Sequence, residues 1–230
     1  MSTSNSAPDS ARHVAGARLP SGGRPPRRTQ TERSETTQRL LIEATVKLLR
    51  VRGYGGLRTV EVSEVAGVSR GAQLHHFPTK NALVIATMRH LNRQMLEHAL
   101  ERTRRARASA DPLALLIEDA FDFFFGDYFF ITLAIGMSDE RNQELLDGVK
   151  PYMAPSRFEV ERQWQSVLEA AGMRPALAAE VLSLTLSVVR GYAVRTLLAP
   201  VPPDRFAKQV GVWKRLVNEY VQKEAGRQRS

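Results

Sequence analysis

The stretch Gly67-Val-Ser-Arg-Gly-Ala-Gln-Leu-His-His-Phe-Pro-Thr-Lys80 decides the fold predicted for this chain. Gly67 can adopt the left-handed backbone of a tight turn after a short helix. Ser69 offers a hydroxyl that can cap the next helix, and Pro78 blocks the continuation of that helix. A helix, a tight turn and a second helix in this order predict a helix-turn-helix, whose second helix lies in the major groove of DNA.

Helical spacing of apolar residues continues on both sides of this stretch. It predicts a first helix over residues 36–52, which Gly53 ends. We expect Thr59 to cap a second short helix that runs to Ala66. A third helix is predicted from Ser69 to His76, and a fourth, capped by Thr79, reaches about residue 105. No segment alternates as a strand does, so the fold class predicted is all-α.

The basic charge of the chain lies in the half that contains the turn. The net charge is +9, and residues 1–107 carry 19 Lys and Arg against 8 Asp and Glu. Residues 108–230 carry 14 against 16. This distribution is expected of a half that meets phosphates, although basic tails also occur on proteins that never bind nucleic acid.

Composition also predicts the domain organisation. Residues 1–33 are rich in Ser, Gly, Pro and Arg, so we expect a disordered basic tail, which either adds non-specific phosphate contacts or is simply solvated. The predicted units that follow are a DNA-binding domain at 34–82, a helical ligand-binding and dimerisation domain at 83–225 that shares a connecting helix at 80–105, and a tail at 226–230.

The sequence argues against disulfides, against a metal site and against a membrane span. The chain has no cysteine, which excludes disulfides and thiolate metal ligands. His75 and His76 are adjacent and no third ligand follows at a suitable spacing, so no metal site is expected. No long apolar run and no charged-then-apolar leader is found, which predicts a cytoplasmic protein without a membrane span.

The span from Thr36 to Val84 resembles the TetR (tetracycline-repressor) family of transcriptional regulators. The resemblance rests, in chain order, on Gly53-Tyr54, Thr59, Gly67-Val68-Ser69, Gly71, Phe77 and Lys80. It implies a homodimeric repressor that leaves a palindromic operator when a small molecule binds the C-terminal domain. Gln73 departs from the pattern because the family usually buries a Leu there, and Leu74 stands where an aromatic residue often reaches the DNA backbone.

The third predicted helix supplies the candidate base-reading residues. Arg70 can form a bidentate pair with guanine and Gln73 with adenine, so we expect both to read bases; the alternative for each is a solvated side chain. Lys80 is expected to contact a phosphate, and the alternative is a plain surface lysine. Either histidine can donate to a phosphate, and the resemblance favours His76 for this role; the alternative for His75 is packing against the first helix. The full set of predicted DNA contacts is Thr59, Ser69, Arg70, Gly71, Gln73, Leu74, His75, His76 and Lys80.

Aromatic residues are concentrated in residues 121–130, where seven of ten are Phe or Tyr. This segment falls between two helices predicted at 113–126 and 128–146, and a further helix is predicted at 155–171. Such side chains form dense cores as well as pockets for flat, apolar molecules. We expect a pocket for a small hydrophobic or aromatic ligand, without a cofactor, lined by Phe121, Phe124, Phe125, Tyr128, Phe129, Met137 and Trp164.

The last two predicted helices carry the expected dimer interface. The helix at 175–198 has two apolar rows, so it must bury two faces, one of them against a partner chain. A final helix starting near Asp204 would complete a four-helix contact across a two-fold axis. The alternative is a larger single core. The predicted interface residues are Leu177, Val181, Leu184, Val188, Tyr192, Phe206, Val210, Trp213 and Val217.

Two other classes of protein remain as alternatives. An enzyme would need a nucleophile, an acid–base pair or a metal set, and none of these is recognisable in the sequence. A helical scaffold could bind proteins through the Phe-rich segment and DNA without specificity. Loss of function on changing Arg70 or Gln73 with folding intact would disfavour both alternatives.

Overall fold

Helices make up almost all of the part of the chain that the structure describes. The structure, a computed structural model, describes residues 29–137, 142–199 and 202–227. Within these ranges no residue belongs to a strand. The helices are α1 Gln30–Gly56, α2 Thr59–Ala66, α3 Arg70–His76, α4 Lys80–Ala106, α5 Pro112–Phe124, α6 Asp127–Gly136, α7 Gln143–Ala170, α8 Pro175–Leu198 and α9 Pro203–Arg227. The all-α prediction is therefore confirmed.

Helix α1 begins earlier than the sequence suggested. The Thr29 hydroxyl accepts a hydrogen bond from the backbone N–H of Glu32 at 3.2 Å, and the Glu32 carboxylate accepts one from the backbone N–H of Thr29 at 2.8 Å. This reciprocal pair is a capping box, which satisfies two helix-terminal donors. Residues 30–33 thus belong to a helix that Thr29 caps, and not to the predicted tail. Residues 1–28 of that tail lie outside the described residues.

Turn and cap chemistry is mostly as expected. Gly53 (φ 63°) interrupts α1 and Gly67 (φ 66°) ends α2, both with left-handed backbones that favour glycine. Ser69 caps α3 by accepting from the N–H of Ala72 at 3.1 Å. The prediction that Thr59 caps α2 is wrong, because Thr59 is already helical and its predecessor occupies the cap position without a side-chain bond.

Two apolar cores lie along α4. The first is formed by residues of α1, α2, α4, α6 and α7, and it includes Leu83 and Met88 of α4. The second joins the C-terminal half of α4, with Ala99 and Ala106, to α5, α7, α8 and α9. The first core therefore extends past residue 82, and α1 and α4, which flank the helix-turn-helix, pack against α6 and α7.

The helix limits between residues 128 and 171 differ from the predicted ones. Helix α6 ends at Gly136 and α7 begins at Gln143, capped by the side chain of Asn142, which accepts from the N–H of Leu145 at 3.0 Å. The single helix predicted at 128–146 is therefore wrong, and α7 starts a dozen residues before the helix predicted at 155–171. By contrast, α8 has the predicted limits, with Pro175 in its first turn.

Among the helices that the structure describes, α8 alone is long and apolar enough to cross a membrane. Such a helix is weak evidence for a span, because a core helix passes the same test. Here Val181, Leu186 and Val189 of α8 are buried in the second core.

Candidate nucleic-acid interface

The N-terminal end of α3 presents an exposed polar surface. The Ser69 cap fixes the first turn, and Arg70, its first helical residue, is exposed beside Gly71. Leu74 and His75, one turn further on, are exposed as well. Ser69, Arg70, Gly71, Leu74 and His75 thus form one accessible surface, which we call the α3 surface. Arg70, Ser69 and His75 supply side-chain groups of the kind that hydrogen-bond to DNA in a major groove.

Gln73 does not belong to the α3 surface, and its prediction as a base reader is corrected by the structure. Its side chain is 0% exposed. The amide Nε2 donates to the backbone carbonyl of Phe77 at 2.6 Å, which closes the C-terminal end of α3, and Oε1 has no hydrogen-bond partner within the described residues. Gln73 occupies the inner side of this short helix, the position where a leucine was expected from the family pattern.

Replacing Gln73 by leucine tests this correction. We expect Gln73→Leu to leave operator sequence preference unchanged and to alter the free energy of unfolding by no more than about 1 kcal/mol, because the lost bond to Phe77 is offset by removal of the unsatisfied Oε1. Gln73→Ala is the matched control and should cost roughly 2 kcal/mol through the cavity it leaves. Urea unfolding and operator selection are the measurements; altered base preference in folded Gln73→Leu would contradict the correction.

The remaining predicted phosphate contacts lie around the α3 surface. Lys80 begins α4, and its ammonium lies over the Tyr54 ring, with Nζ 4.0 Å from the ring centroid. Gln38 Nε2 lies 3.4 Å from Nδ1 of His76, and it can donate to this nitrogen when the ring proton is on Nε2. Burial, together with the neighbouring His75, lowers the pKa of His76. His76 is half-buried on α3, and Thr59 is half-buried at the start of α2.

A polar network ties the start of α4 to α1 and α7. The Tyr54 hydroxyl donates to Asn81 Oδ1 at 2.6 Å, and Asn142 Nδ2 donates to the Tyr54 oxygen at 2.9 Å. Asn81 Nδ2 donates to Glu144 Oε2 at 2.6 Å. Sequence reasoning missed this network because Tyr54 and Asn142 are 88 positions apart, and no local pattern marks the pairing.

The aromatic segment joins α5 and α6 to the last two helices. Phe121 stacks on Phe125 with ring centroids 4.3 Å apart, and the Phe206 ring of α9 lies 5.0 Å from Phe121 and 5.2 Å from Tyr192 of α8. Residues predicted for the pocket and for the dimer interface are therefore in contact. Phe129 packs edge-on against Phe124 at 5.0 Å, also within this segment.

The predicted pocket residues do not surround one cavity. Phe125 and Met137 line a cleft of about 490 Å³ between α1, α6 and α8. Tyr128 lines a cavity of about 210 Å³ between α4, α5 and α6, and Phe124 borders an open groove beside α7 and α8. Trp164 is fully buried in the second core, where its Nε1 donates to Asp119 at 2.9 Å. Trp164 is thus a core residue and not a pocket wall.

The surface left for a partner chain differs from the predicted one. Leu177, Val181 and Val217 are buried in the chain's own core, and Val188, Tyr192, Phe206, Val210 and Trp213 are partly buried. Of the predicted set, Leu184 alone is exposed. The exposed apolar residues of α8 and α9, which we call the α8/α9 surface, are Leu184, Val194, Leu197, Leu198, Val212, Leu216 and Tyr220.

The fold and the α3 surface define a class of protein, namely helix-turn-helix DNA-binding regulators. Residues 41–87 match the family of bacterial regulatory proteins, tetR family. The HTH-type transcriptional regulator CymR of Pseudomonas putida is 40% identical over 173 residues, which are 75% of this chain and 85% of CymR. BetI of Cronobacter sakazakii, also an HTH-type transcriptional regulator, is 36% identical over 87 residues, 37% of this chain and 43% of BetI.

Solved structures share the architecture. A TetR-family transcriptional regulator from Agrobacterium tumefaciens superimposes with a TM-score of 0.59 at 15% identity, over 79% of this chain and 98% of that chain. A transcriptional regulator from Pseudomonas aeruginosa PAO1 gives 0.56 at 22% identity, over 82% and 94%. With the similarity to CymR, the chain belongs to the TetR family. It is a DNA-binding transcriptional regulator and not an enzyme, which confirms the resemblance seen in the sequence.

Proposed function

We propose that the protein is a homodimeric repressor that leaves a palindromic operator when a small molecule binds its C-terminal half. The observation that carries the proposal is the combination of two exposed surfaces, the polar α3 surface and the apolar α8/α9 surface. We assign DNA binding to residues 34–82 and ligand binding and dimerisation to residues 83–225, with α4 shared. Action on bacterial operator DNA implies a cytoplasmic location.

Sequence recognition is assigned chiefly to Arg70. It is exposed on the first turn of α3, where side chains of a recognition helix reach base edges, and its guanidinium can pair with guanine O6 and N7. Ser69, Gly71, Leu74 and His75 flank it and fix the approach of the helix. Thr59, His76 and Lys80 are assigned to phosphates, and Gln73 is not part of the interface.

The α8/α9 surface is assigned to the partner chain. Exposed apolar side chains recur along both helices, and a two-fold axis would bring two copies of the surface together as a four-helix contact. Dimer symmetry then matches a palindrome, since two reading helices about 34–36 Å apart contact successive major grooves. A larger single core, the alternative considered from the sequence, does not account for the exposure of this surface.

Ligand control requires two conformers with different affinities for both DNA and ligand. Helix α7 is suited to connect them, because it supplies buried core residues such as Trp164 and also holds Asn81 through Glu144. Arg50 of α1 is also paired with Asp127 of α6, with Nη1 2.6 Å from Oδ1. By linkage, operator DNA must weaken ligand binding by the same factor as ligand weakens DNA binding.

Arg70→Ala tests the assignment of the recognition residue. We expect the variant to lose about 1–3 kcal/mol of discrimination, roughly 5- to 150-fold in affinity, and to relax the preference for one guanine in each half-site. Purified protein would select fragments of genomic DNA near physiological salt, and fluorescence anisotropy would give affinities. Arg104→Ala, which changes an exposed arginine at the far end of α4, is the control.

Two results would contradict this assignment. Unchanged sites and affinities for folded Arg70→Ala would remove Arg70 from the interface. Equal recovery of all fragments by the wild type, lost as salt rises, would show that only the basic surface binds, as expected of the scaffold alternative.

A further inference from the structure

Helix α3 carries an apolar residue on its exposed polar side. Successive helical residues are roughly 100° apart around the axis, so Arg70, Leu74, Gly71 and His75 follow one another in this order across one side. All four are exposed, whereas Gln73 on the other side is fully buried. Leu74 is 42% exposed and lies between the arginine and the histidine. This position indicates a partner with an apolar group at the matching place.

Gly71, beside Leu74 on this side, is not required by the chain itself. Its backbone is helical. Within the described residues, and apart from its neighbours in sequence, the nearest atom that a Cβ at this position would meet is Oγ of Ser69, at 4.0 Å. Alanine would therefore fit, and alanine favours a helix more than glycine does. Glycine at this exposed helical position leaves room for a partner that comes close to the backbone.

The major groove of DNA offers one apolar group, the C5-methyl of thymine. The Leu74 side chain has no hydrogen-bonding atom, so it can bond neither to a phosphate oxygen nor to a polar base edge. It can pack against the thymine methyl or against a sugar of the DNA backbone. A residue in the middle of the exposed side faces the base edges, whereas residues at the margins of that side face the two backbones. The methyl group is therefore the favoured contact.

We propose that Leu74 reads a thymine in each half-site by packing against its C5-methyl group, and that Gly71 lets α3 come close enough for this contact. Arg70 lies one turn before Leu74, about 6 Å along the helix axis, and base pairs are about 3.4 Å apart. The thymine therefore lies within about two base pairs of the guanine assigned to Arg70. This inference rests on the proposed function, because it adds a second base to the recognition of the operator.

Removal of single methyl groups from the operator tests the contact. Each thymine of the operator selected by the wild type is replaced in turn, in both half-sites, by deoxyuridine, which keeps the base pairing and lacks only the methyl. Near the guanine read by Arg70, we expect one position at which affinity falls roughly tenfold, about three- to fourfold for each methyl group. Fluorescence anisotropy with the full-length protein gives the affinities. Wild-type protein that binds every substituted operator as tightly as the unmodified one would overturn the proposal.

Leu74→Ala shows whether the leucine makes this contact. The variant should bind the unmodified operator roughly tenfold more weakly than the wild type and should not distinguish thymine from deoxyuridine at the sensitive position. Val51→Ala, a change at an exposed apolar residue of α1, is the control and should discriminate as the wild type does. Urea unfolding checks the fold of both variants. A folded Leu74→Ala variant that keeps the wild-type preference for thymine would overturn the proposal, whatever its overall affinity.

Gly71→Ala separates close approach from stability. The variant should unfold at a higher urea concentration, because alanine is the better helix former. It should nevertheless bind the operator roughly tenfold or more weakly, because the added methyl group occupies the space beside Leu74. Opposite changes in stability and affinity are not expected of a residue with a structural role alone. Wild-type affinity of Gly71→Ala would overturn the close approach on which the contact of Leu74 depends.

The outcomes for the wild type separate this inference from the proposed function. Wild-type protein that selects no operator would contradict both, since a base reader needs a specific site. A selected palindrome whose affinity depends on no thymine methyl would contradict the reading by Leu74 and leave the proposed function standing. A sensitive thymine that Leu74→Ala no longer distinguishes from deoxyuridine supports both.

Discussion

A Leu184→Glu, Leu216→Glu double variant should be a folded monomer that no longer holds a palindromic operator. Both leucines are 54% exposed, one on α8 and the other on α9. About half of each side chain is in solvent, so the substitutions remove only part of its packing within the chain, and the free energy of unfolding of the monomer should change by no more than about 1 kcal/mol. In a two-fold interface the same changes would bury four carboxylates without partners, which costs several kcal/mol per charge and prevents association.

The loss of DNA binding should be large because the two half-sites act together. Once one reading helix is bound, the second meets its half-site at a high effective concentration, and this linkage is worth roughly 10²–10⁴-fold in affinity. The double variant should bind a full operator no better than a single half-site. Light scattering measures the mass in solution, and anisotropy with full and half operators measures the affinity difference.

Met137→Glu is a suitable control because it adds the same charge to an exposed apolar residue outside the α8/α9 surface. This variant should remain dimeric and retain full operator affinity without ligand. A double variant that stays dimeric would show that the partner chain covers a different surface. A monomer that keeps wild-type operator affinity would contradict the linkage between dimerisation and recognition.

Local chemistry made the helix-turn-helix predictable from the sequence. Gly67 and Ser69 act on atoms within a few residues, as does the Thr79 cap, whose Oγ1 accepts from the N–H of Ala82 at 3.0 Å. No tertiary information is needed to place these features. The burial of Gln73 could not be predicted in this way, because it depends on how α3 packs against α1 and α2. In a helix of seven residues, spacing alone does not tell the outer face from the inner one.

Tertiary packing determined what the sequence could not predict in the C-terminal half. Helix α8 carries apolar residues around most of its circumference, so the row that meets a partner depends on which row the other helices cover. The structure buries Leu177 and Val181 and leaves Leu184 exposed. Likewise, the contact of Trp164 with Asp119 joins residues 45 positions apart, and neither residue is marked by a local motif.

Trp164→Ala should be among the most destabilising single substitutions in the chain. The indole is fully buried in the second core, so its removal should lower the free energy of unfolding by about 3–5 kcal/mol. Typical domains are stable by roughly 5–15 kcal/mol, so this loss is a large part of the total. The Asp119 carboxylate would also lose the indole donor while remaining buried, which adds to the cost.

Trp164→Phe separates packing from hydrogen bonding. Phenylalanine keeps most of the ring volume and removes the N–H, so the expected cost is smaller, about 1–3 kcal/mol. Phe158→Ala on the same helix is the control, since Phe158 is exposed and its loss should stay within about 0.5 kcal/mol. Urea unfolding at one fixed protein concentration gives these values, because the stability of a dimer depends on concentration.

The pattern across the three variants decides what Trp164 does. A cost for Trp164→Ala close to that of Phe158→Ala would mean that α7 does not pack as described, and Trp164 would again be a candidate for the pocket wall. A large cost for alanine with none for phenylalanine would assign the stabilisation to packing alone. If both variants are destabilised in the expected order, the indole holds α7 against α5 through both its packing and its hydrogen bond to Asp119.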